Sequence, residues 1–420
     1  MLVIGLEGLQ LSAHDEERLS APEVSGAILF SRNFAARAQL DELIAEIRAL
    51  RDDPFPICVD QEGGPVQRFK SDGFMRLPPL ARIGALHDRD PAAAVRAAET
   101  HAWLMASELR ACDVDLSFAP VLDLKRGNRV IGERAFHADP QVVGELGMAY
   151  LRGMRSAGMA GTLKHFPGHG TVLEDTHVEA ARDSRDLQAL RGSDLAPFAD
   201  GFAAGAEAVM LAHVVYPAID AQPAGYSKVW IHDILRGEYG FRGLVFSDDI
   251  GMAAAESAGG VGARANAHLD AGCDLVLVCA PKLVDETIAA VRGRAPCGAD
   301  RVSALCGAAA GDWQSLIDNP QHRAAVASIR KLNLTLTRRM HTLRLRIHLN
   351  MRSNKQLRLL VSTKTAILKH RSLTQTLQTV VLDQRQQHRL YPHTQVNQDR
   401  RRTSNRKSVH PRVHRRPLLL

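Results

Sequence analysis

Residues 161–170 read GTLKHFPGHG, and the segment at residues 175–177 reads DTH. A short apolar run leads into Lys164 and His165, and a loop punctuated by Pro167 and glycines follows with more histidines. Strands that end in polar residues and turn into glycine-rich loops carry the chemistry of α/β enzymes. A histidine-rich surface loop is the alternative, but histidine is the side chain suited to proton transfer near neutral pH. The stretch therefore predicts a strand whose end belongs to a functional site.

Eight apolar runs of strand length recur along the chain: Leu2–Leu6, Gly26–Phe30, Pro56–Asp60, Asp115–Ala119, Thr162–His165, Ala208–His213, Leu244–Ser247 and Asp274–Val278. Amphipathic segments of helical length lie between them, for example Ala38–Leu50, Pro91–Ala111, Gln141–Ala157, Asp186–Phe202 and Val261–Ala271. Continuous apolar runs indicate strands that are buried on both faces, hence a parallel sheet covered by helices. Eight strand–helix repeats favour a single (β/α)8 TIM-type barrel over a doubly wound sheet, whose glycine fingerprint is missing after the first run.

Polar residues close six of these runs: Ser31–Asn33, Asp60–Gly64, Asp123, Lys164–His165, His213 and Ser247–Asp249. The strand ends of a closed barrel converge on one face, where such barrels place their catalytic residues. One such residue could be a polar plug at a strand end, but six in register predict an active site.

Charge divides the chain into two parts. Residues 331–420 contain 21 Lys and Arg residues and two acidic ones, Asp383 and Asp399, whereas residues 1–330 hold 32 basic and 44 acidic residues. The six cysteines form no CxxC pair and are typical of reduced thiols. The N-terminus lacks a basic signal-peptide region, and no run of 18 apolar residues predicts a membrane span. We therefore expect a cytoplasmic protein.

The basic tail differs from the rest in kind. It contains no Gly and no Glu, and Tyr391 is its only aromatic residue. A nucleic-acid-binding extension would be basic, but no RNA-binding motif or aromatic interleaving is present. The abrupt change favours translation in a shifted reading frame from near residue 330. We predict a catalytic barrel over residues 1–330 and a low-order tail over residues 331–420.

Asp248 follows an apolar run, where an inward-pointing carboxylate is expected, and Asp249 beside it faces elsewhere. A carboxylate nucleophile with a separate proton donor describes a retaining glycosidase. The candidate donor is His177, with Asp175 to orient its ring. The candidate hydrogen-bond donors to substrate are Arg68, Arg134, Lys164 and His165.

Six stretches together resemble one family: residues 59–68, 117–123, 131–134, 164–170, 175–177 and 246–249. The chain resembles, over roughly residues 1–290, the cytoplasmic bacterial β-N-acetylhexosaminidases of glycoside hydrolase family 3, which act in peptidoglycan recycling. One departure is Pro65, where members of the family usually carry Arg. It removes no residue with a catalytic role, but it could shift the loop before Arg68.

The resemblance implies hydrolysis with retention of the β configuration, with Asp248 as nucleophile and His177 as acid/base partnered by Asp175. The positions that match sugar-binding residues are Asp60, Arg68, Arg134, Lys164 and His165. The implied substrate is N-acetylglucosamine β-1,4-linked to anhydro-N-acetylmuramic acid, with or without stem peptide. No cofactor, metal or nucleic acid is implied, and we expect a monomer.

Other functions remain open at this point. A metal hydrolase would use His165, His169, Asp175 and His177 as ligands, although this spacing fixes no closed geometry. A binding barrel without activity would have lost its nucleophile or its acid, yet both are present. The main rival is another sugar specificity within the family, such as a β-glucosidase, whose members mostly carry a second domain with a carboxylate acid. Binding of nucleic acid through the tail is the remaining alternative.

Overall fold

A computed structural model describes residues 1–173, 181–308 and 311–334 of the chain. The chain divides into two compact units, Met1–Arg344 and Leu345–Leu420, and the second lies outside the described residues. The predicted boundary between residues 330 and 331 falls within helical residues 320–334.

Eight parallel strands form the centre of the first unit: β1 (Leu2–Gly5), β2 (Val24–Leu29), β3 (Ile57–Val59), β4 (Leu116–Ser117), β5 (Thr162–Phe166), β6 (Ala208–Leu211), β7 (Leu244–Phe246) and β8 (Val276–Val278). They pair in the orders β8-β1-β2-β3-β4 and β7-β6-β5. Single parallel bridges, Val121 to Lys164 and Phe246 to Leu275, connect the two sheets. Each predicted apolar run overlaps one of these strands, although β2 begins two residues before its run and β5 ends one residue after its run. The predicted α/β class is confirmed.

Helices follow the strands along the chain. They are α1 (Ala13–Leu19), α2 (Arg37–Ala49), α3 (Ala81–His87), α4 (Pro91–Arg110), α5 (Pro140–Ser156), α6 (Leu187–Arg191), α7 (Ala196–Ala203), α8 (Val261–Ala271), α9 (Val284–Val291), α10 (Ala299–Ser303) and α11 (Trp313–Asp318), with a further helical segment at Val229–Glu238. The segment expected to be one helix over Asp186–Phe202 is two, α6 and α7. Gly192 caps the first and Pro197 lies in the first turn of the second, which is where these residues are tolerated.

The two longest helices, α4 and α5, begin in the same way. Asp90 and Asp139 accept hydrogen bonds from backbone N–H groups of the first turn, and a proline follows each. Deeper in the pair, a Cβ atom at Gly153 would lie 2.2 Å from the carbonyl oxygen of Glu99. Glycine therefore allows α5 to lie directly against α4.

Alternate residues of β1 belong to two different apolar cores. Val3, Ile28 and Cys58 belong to a smaller cluster made mostly of strand residues, whereas Leu2 and Ile4 belong to a larger cluster that includes residues of the helices. Both sets are almost inaccessible to solvent, which explains why the strands read as continuous apolar runs. The six cysteines are all free thiols.

Short strands not expected from the sequence extend the carboxyl ends of the main strands. They are a hairpin of Gln61–Gly63 with Val66–Gln67, and a three-stranded sheet of Ala181–Arg182, Val214–Tyr216 and Asp220–Pro223. The polar strand ends of β3 and β6 therefore continue into ordered structure.

Candidate active site

A cluster of five charged side chains, three of them buried and two half-buried, joins the ends of β3 and β5. Lys164 Nζ lies 2.9 Å from Asp60 Oδ1 and 2.7 Å from Glu62 Oε1. Arg134 donates to both oxygens of Glu62, each at 2.8 Å, and Arg68 donates to Asp60 Oδ2 at 3.0 Å. Paired geometry of this kind is what keeps charges ionised away from water.

The pKa values in this cluster follow from the pairing. Burial acts to raise the pKa of Asp60, but the positive charges of Lys164 and Arg68 outweigh it and hold that pKa well below its usual range. Burial also opposes ionisation of Glu62, whose pKa is nevertheless lowered by Arg134 and Lys164. For Lys164, burial acts to lower the pKa, and the two carboxylates raise it above the ordinary value. Asp60, Glu62 and Lys164 are therefore charged at neutral pH.

The hairpin after β3 positions Glu62 and Arg68. Its turn requires glycine, since Gly63 and Gly64 have φ values of +101° and +57°, and a Cβ atom at Gly63 would lie 2.7 Å from the carbonyl oxygen of Pro78. Pro65 is exposed in this turn, and Arg68 still reaches the charged cluster beyond it.

A second carboxylate organises the loop after β5. Asp123 Oδ2 lies 2.6 Å from Nδ1 of His165, and Asp123 Oδ1 accepts a hydrogen bond of 2.6 Å from the backbone N–H of His169. Because Asp123 only accepts when it is ionised, His165 carries its proton on Nδ1. Burial acts to raise the pKa of Asp123, but the two histidines outweigh it and the pKa is lowered. On the other side, Asn128 Nδ2 lies 3.1 Å from His169 Nδ1.

Asp248 and Asp249 lie at the end of β7 and have different partners. Asp249 Oδ1 accepts hydrogen bonds from the backbone N–H groups of Gly251 (3.0 Å) and Cys279 (3.1 Å), so it braces two loops. Burial raises the pKa of Asp249. Asp248 Oδ1 accepts only from the backbone N–H of Asp249, at 2.8 Å, among the contacts of the described chain.

Two histidines influence Asp248. Burial acts to raise its pKa, yet the neighbouring imidazoles of His165 and His213 outweigh this effect and lower the pKa. His213 is itself buried, and its Nε2 lies 3.1 Å from the carbonyl oxygen of Asp249. Asp248 is therefore an ionised, partly enclosed carboxylate at a strand end, which is the condition a carboxylate nucleophile needs.

Six of the eight predicted site residues fall within the described chain, and Asp175 and His177 lie outside it. Asp60, Arg68, Arg134 and Lys164 meet in one cluster, and His165 and Asp248 interact electrostatically. No role was predicted from the sequence for Glu62, Asp123 or His213, although all three lie near strand ends. Within residues 1–173, 181–308 and 311–334, no group of three or more His, Cys, Asp or Glu side chains could hold a metal ion.

Comparison of the chain with known proteins identifies its protein family. The family model described as the glycosyl hydrolase family 3 N-terminal domain matches residues 2–299. The chain belongs to glycoside hydrolase family 3. A β-hexosaminidase of Stenotrophomonas maltophilia is 60% identical over 322 residues, which are 77% of this chain and 96% of that protein. A β-hexosaminidase of Xanthomonas axonopodis pv. citri is 58% identical over 317 residues, or 76% of this chain and 94% of that protein.

Solved structures of related enzymes resemble the fold of this chain. The structure of NagZ from Neisseria gonorrhoeae in complex with N-trifluoroacetyl-D-glucosamine superposes with a TM-score of 0.74 at 42% identity, covering 79% of this chain and 97% of that one. The predicted enzyme class, a glycoside hydrolase of the β-N-acetylhexosaminidase type, is thereby confirmed. Across the described residues, the family 3 chain has no helix that is both long and apolar enough to cross a membrane.

Proposed function

We propose that this family 3 protein is a retaining exo-β-N-acetylglucosaminidase whose eight parallel strands close into one (β/α)8 barrel. The two bridges between the sheets support closure, since Val121 to Lys164 and Phe246 to Leu275 join both pairs of free edges. The observation that carries the mechanism is the ionised Asp248 at the end of β7, influenced by His165 and His213. In a barrel it would face the charged cluster on Asp60 and Lys164.

In the first step, a carboxylate oxygen of Asp248 attacks the anomeric carbon while the bond to the leaving sugar breaks. His177, for which we propose Asp175 as the partner, gives a proton to the departing oxygen, so the leaving group departs as a neutral alcohol. The product is a glycosyl ester on Asp248. The lowered pKa of the free Asp248 carboxyl group favours this role, since the group must be ionised to attack.

In the second step, His177 takes a proton from water, and the resulting hydroxide attacks the anomeric carbon of the ester. Asp248 leaves as a carboxylate, and two inversions give a product with the original β configuration. The cations Arg68, Arg134 and Lys164 hold the sugar by donating to its oxygen atoms.

The substrate we propose is N-acetylglucosamine β-1,4-linked to anhydro-N-acetylmuramic acid in peptidoglycan fragments, with the enzyme acting in the cytoplasm. The relatives support the acetamido sugar, because the Neisseria gonorrhoeae enzyme has been solved in complex with an N-acylated glucosamine. The peptidoglycan origin rests on the motifs shared with recycling enzymes.

Hydrolysis of an aryl β-N-acetylglucosaminide beside the aryl β-glucoside tests the proposal, with the full chain and its Asp248→Ala variant. Turnover of the acetamido sugar alone, lost in the variant, with the β anomer formed first by NMR, is the expected result. Turnover of the glucoside would reassign the specificity. Activity that survives Asp248→Ala, or an α product, would reject the nucleophile or the retaining mechanism.

A further inference from the structure

We propose that Glu62 is a positioning residue, whose carboxylate sets the Arg134 and Lys164 side chains in place before the sugar binds. The inference rests on the proposed function, since it takes these two cations as sugar ligands. Glu62 is 1% exposed and comes from the hairpin after β3, whereas Lys164 comes from β5. One anion therefore links three separate segments of the chain.

The hydrogen bonds of Glu62 leave it little to offer a substrate. Oε1 accepts from an Arg134 terminal nitrogen at 2.8 Å and lies 2.7 Å from Lys164 Nζ in an ion pair, while Oε2 accepts from Arg134 Nε at 2.8 Å. An ionised carboxylate only accepts hydrogen bonds, and both oxygens of Glu62 already face cations of the protein. Glu62 therefore acts through the two cations rather than on the sugar.

Those bonds also determine which donors remain for a ligand. The two-point contact with Glu62 fixes the plane of the Arg134 guanidinium, and no hydrogen bond within the described chain engages its NH1 group. Lys164 has three protons, of which one is donated to Asp60 at 2.9 Å, and its ammonium group is also held by the ion pair with Glu62. The lysine protons that are not donated to Asp60 and the Arg134 NH1 group remain for oxygen atoms of the sugar.

The charge of Glu62 matters as much as its geometry. Arg134 and Lys164 are two positive groups held on one carboxylate, with side chains 9% and 2% exposed. Without the anion they would repel each other in a site that water screens poorly. Asp60 would be left to compensate Lys164 and Arg68 together, which draws the lysine away from Arg134.

The test compares Glu62→Gln with Glu133→Gln, using the full chain and an aryl β-N-acetylglucosaminide. Glu133 is a matched control because it precedes Arg134, is 60% exposed in its side chain and pairs with Lys125 at 2.7 Å. Glu62→Gln keeps the shape and removes the charge. Since the sugar contacts it supports exist before and during reaction, we expect KM to rise about tenfold or more with kcat within about threefold. The control should leave both constants unchanged.

A second variant asks whether the anion itself is needed. Glu62→Ala removes the carboxylate and leaves space for acetate between the two cations. We expect added acetate to restore kcat/KM at least about tenfold in a saturable way, with no effect of chloride at equal ionic strength. Acetate should not affect Glu133→Ala.

Normal KM in Glu62→Gln, or a folded Glu62→Ala that acetate does not restore, would overturn the positioning role. Loss of folding in both variants would also overturn it, because Glu62 would then serve stability alone. These results differ from failure of the proposed function, which would show as an inactive native enzyme or as activity in Asp248→Ala.

Discussion

Replacing Asp123 by Asn should inactivate the enzyme while leaving it folded. Three donors converge on this carboxylate: the ring Nδ1 and backbone N–H of His165, at 2.6 and 3.3 Å, and the backbone N–H of His169 at 2.6 Å. An Asn side chain can keep the bond from His169 through its oxygen, but its NH2 group then faces His165. To accept a hydrogen bond from that NH2 group, the ring must shift its proton from Nδ1 to Nε2. Nε2 then becomes a hydrogen-bond donor instead of an acceptor.

The magnitudes follow from this count of donors. One buried backbone N–H loses its acceptor, which costs about 2 kcal/mol of unfolding free energy. At roughly 0.7 kcal/mol per kelvin of unfolding entropy for a unit of about 330 residues, this lowers Tm by about 3 °C. A wrong histidine tautomer costs far more in rate, and we expect kcat/KM to fall about 10²- to 10⁴-fold.

The assay is steady-state hydrolysis of the aryl β-N-acetylglucosaminide together with a thermal unfolding scan. Asp88→Asn is the matched control, since Asp88 also pairs with a histidine, His137, at 3.1 Å, but has a side chain that is 60% exposed. Its activity and Tm should stay at the native values. Near-normal kcat/KM in Asp123→Asn would refute the view that this carboxylate sets the state of His165.

Three further predictions concern stability and the tail. Lys164→Met removes the cation shared by the buried Glu62 and the half-buried Asp60, so it should remove activity and about 3–5 kcal/mol of unfolding free energy in urea. Lys125→Met, at a half-exposed side chain that pairs with Glu133, should change that energy by under about 0.5 kcal/mol. Equal effects of the two would contradict the role of the cluster. Burial lowers the pKa of His101 to about 4, below its unfolded value of about 6.5. The stability that the neutral buried ring contributes is therefore complete above pH 6.5 and is lost as the pH falls toward 4. Native protein should lose about 2 kcal/mol more between pH 7 and pH 5 than His101→Gln, and equal pH slopes would argue against a neutral buried ring. Deletion of residues 345–420, which lie beyond the family match ending at residue 299, should leave kcat/KM within about twofold, and a larger loss would assign the tail a part in catalysis.

The strands could be predicted because burial on both faces leaves a direct trace in the sequence. Residues such as Val3 and Ile4 face different cores, so every position of β1 must be apolar, and the run stands out from its polar surroundings. The helix Val261–Ala271 was predicted with the bounds the structure shows, because Gly260 and Gly272 flank it. Where glycine and proline fall inside an amphipathic pattern, as in Asp186–Phe202, periodicity overestimates the length of a helix.

Sequence patterns point to individual residues for the site, but they do not predict which side chains those residues pair with. Lys164 and Asp60 are 104 residues apart, and nothing in the sequence reports which carboxylate shares the lysine. Glu62 lies within residues 59–68, but the sequence alone suggests no role for it, because its contacts are to two cations from other segments. Asp123 is recognisable in the sequence as a polar residue after an apolar run, but its contacts to His165 and His169 are not. The sequence shows that these polar residues follow apolar runs, whereas the pairing of their side chains is visible only in the folded structure.

The most direct test of the central claim is to identify the covalent intermediate. A 5-fluorinated N-acetylglucosaminyl fluoride forms the ester quickly relative to its breakdown, because the fluorine destabilises the transition state of both steps and the fluoride leaving group speeds the first. After brief incubation, digestion and mass spectrometry, we predict one added glycosyl group on the peptide that contains Asp248, and none in Asp248→Asn. An adduct on another residue, or no adduct while the aryl substrate turns over with inversion, would contradict the proposed mechanism.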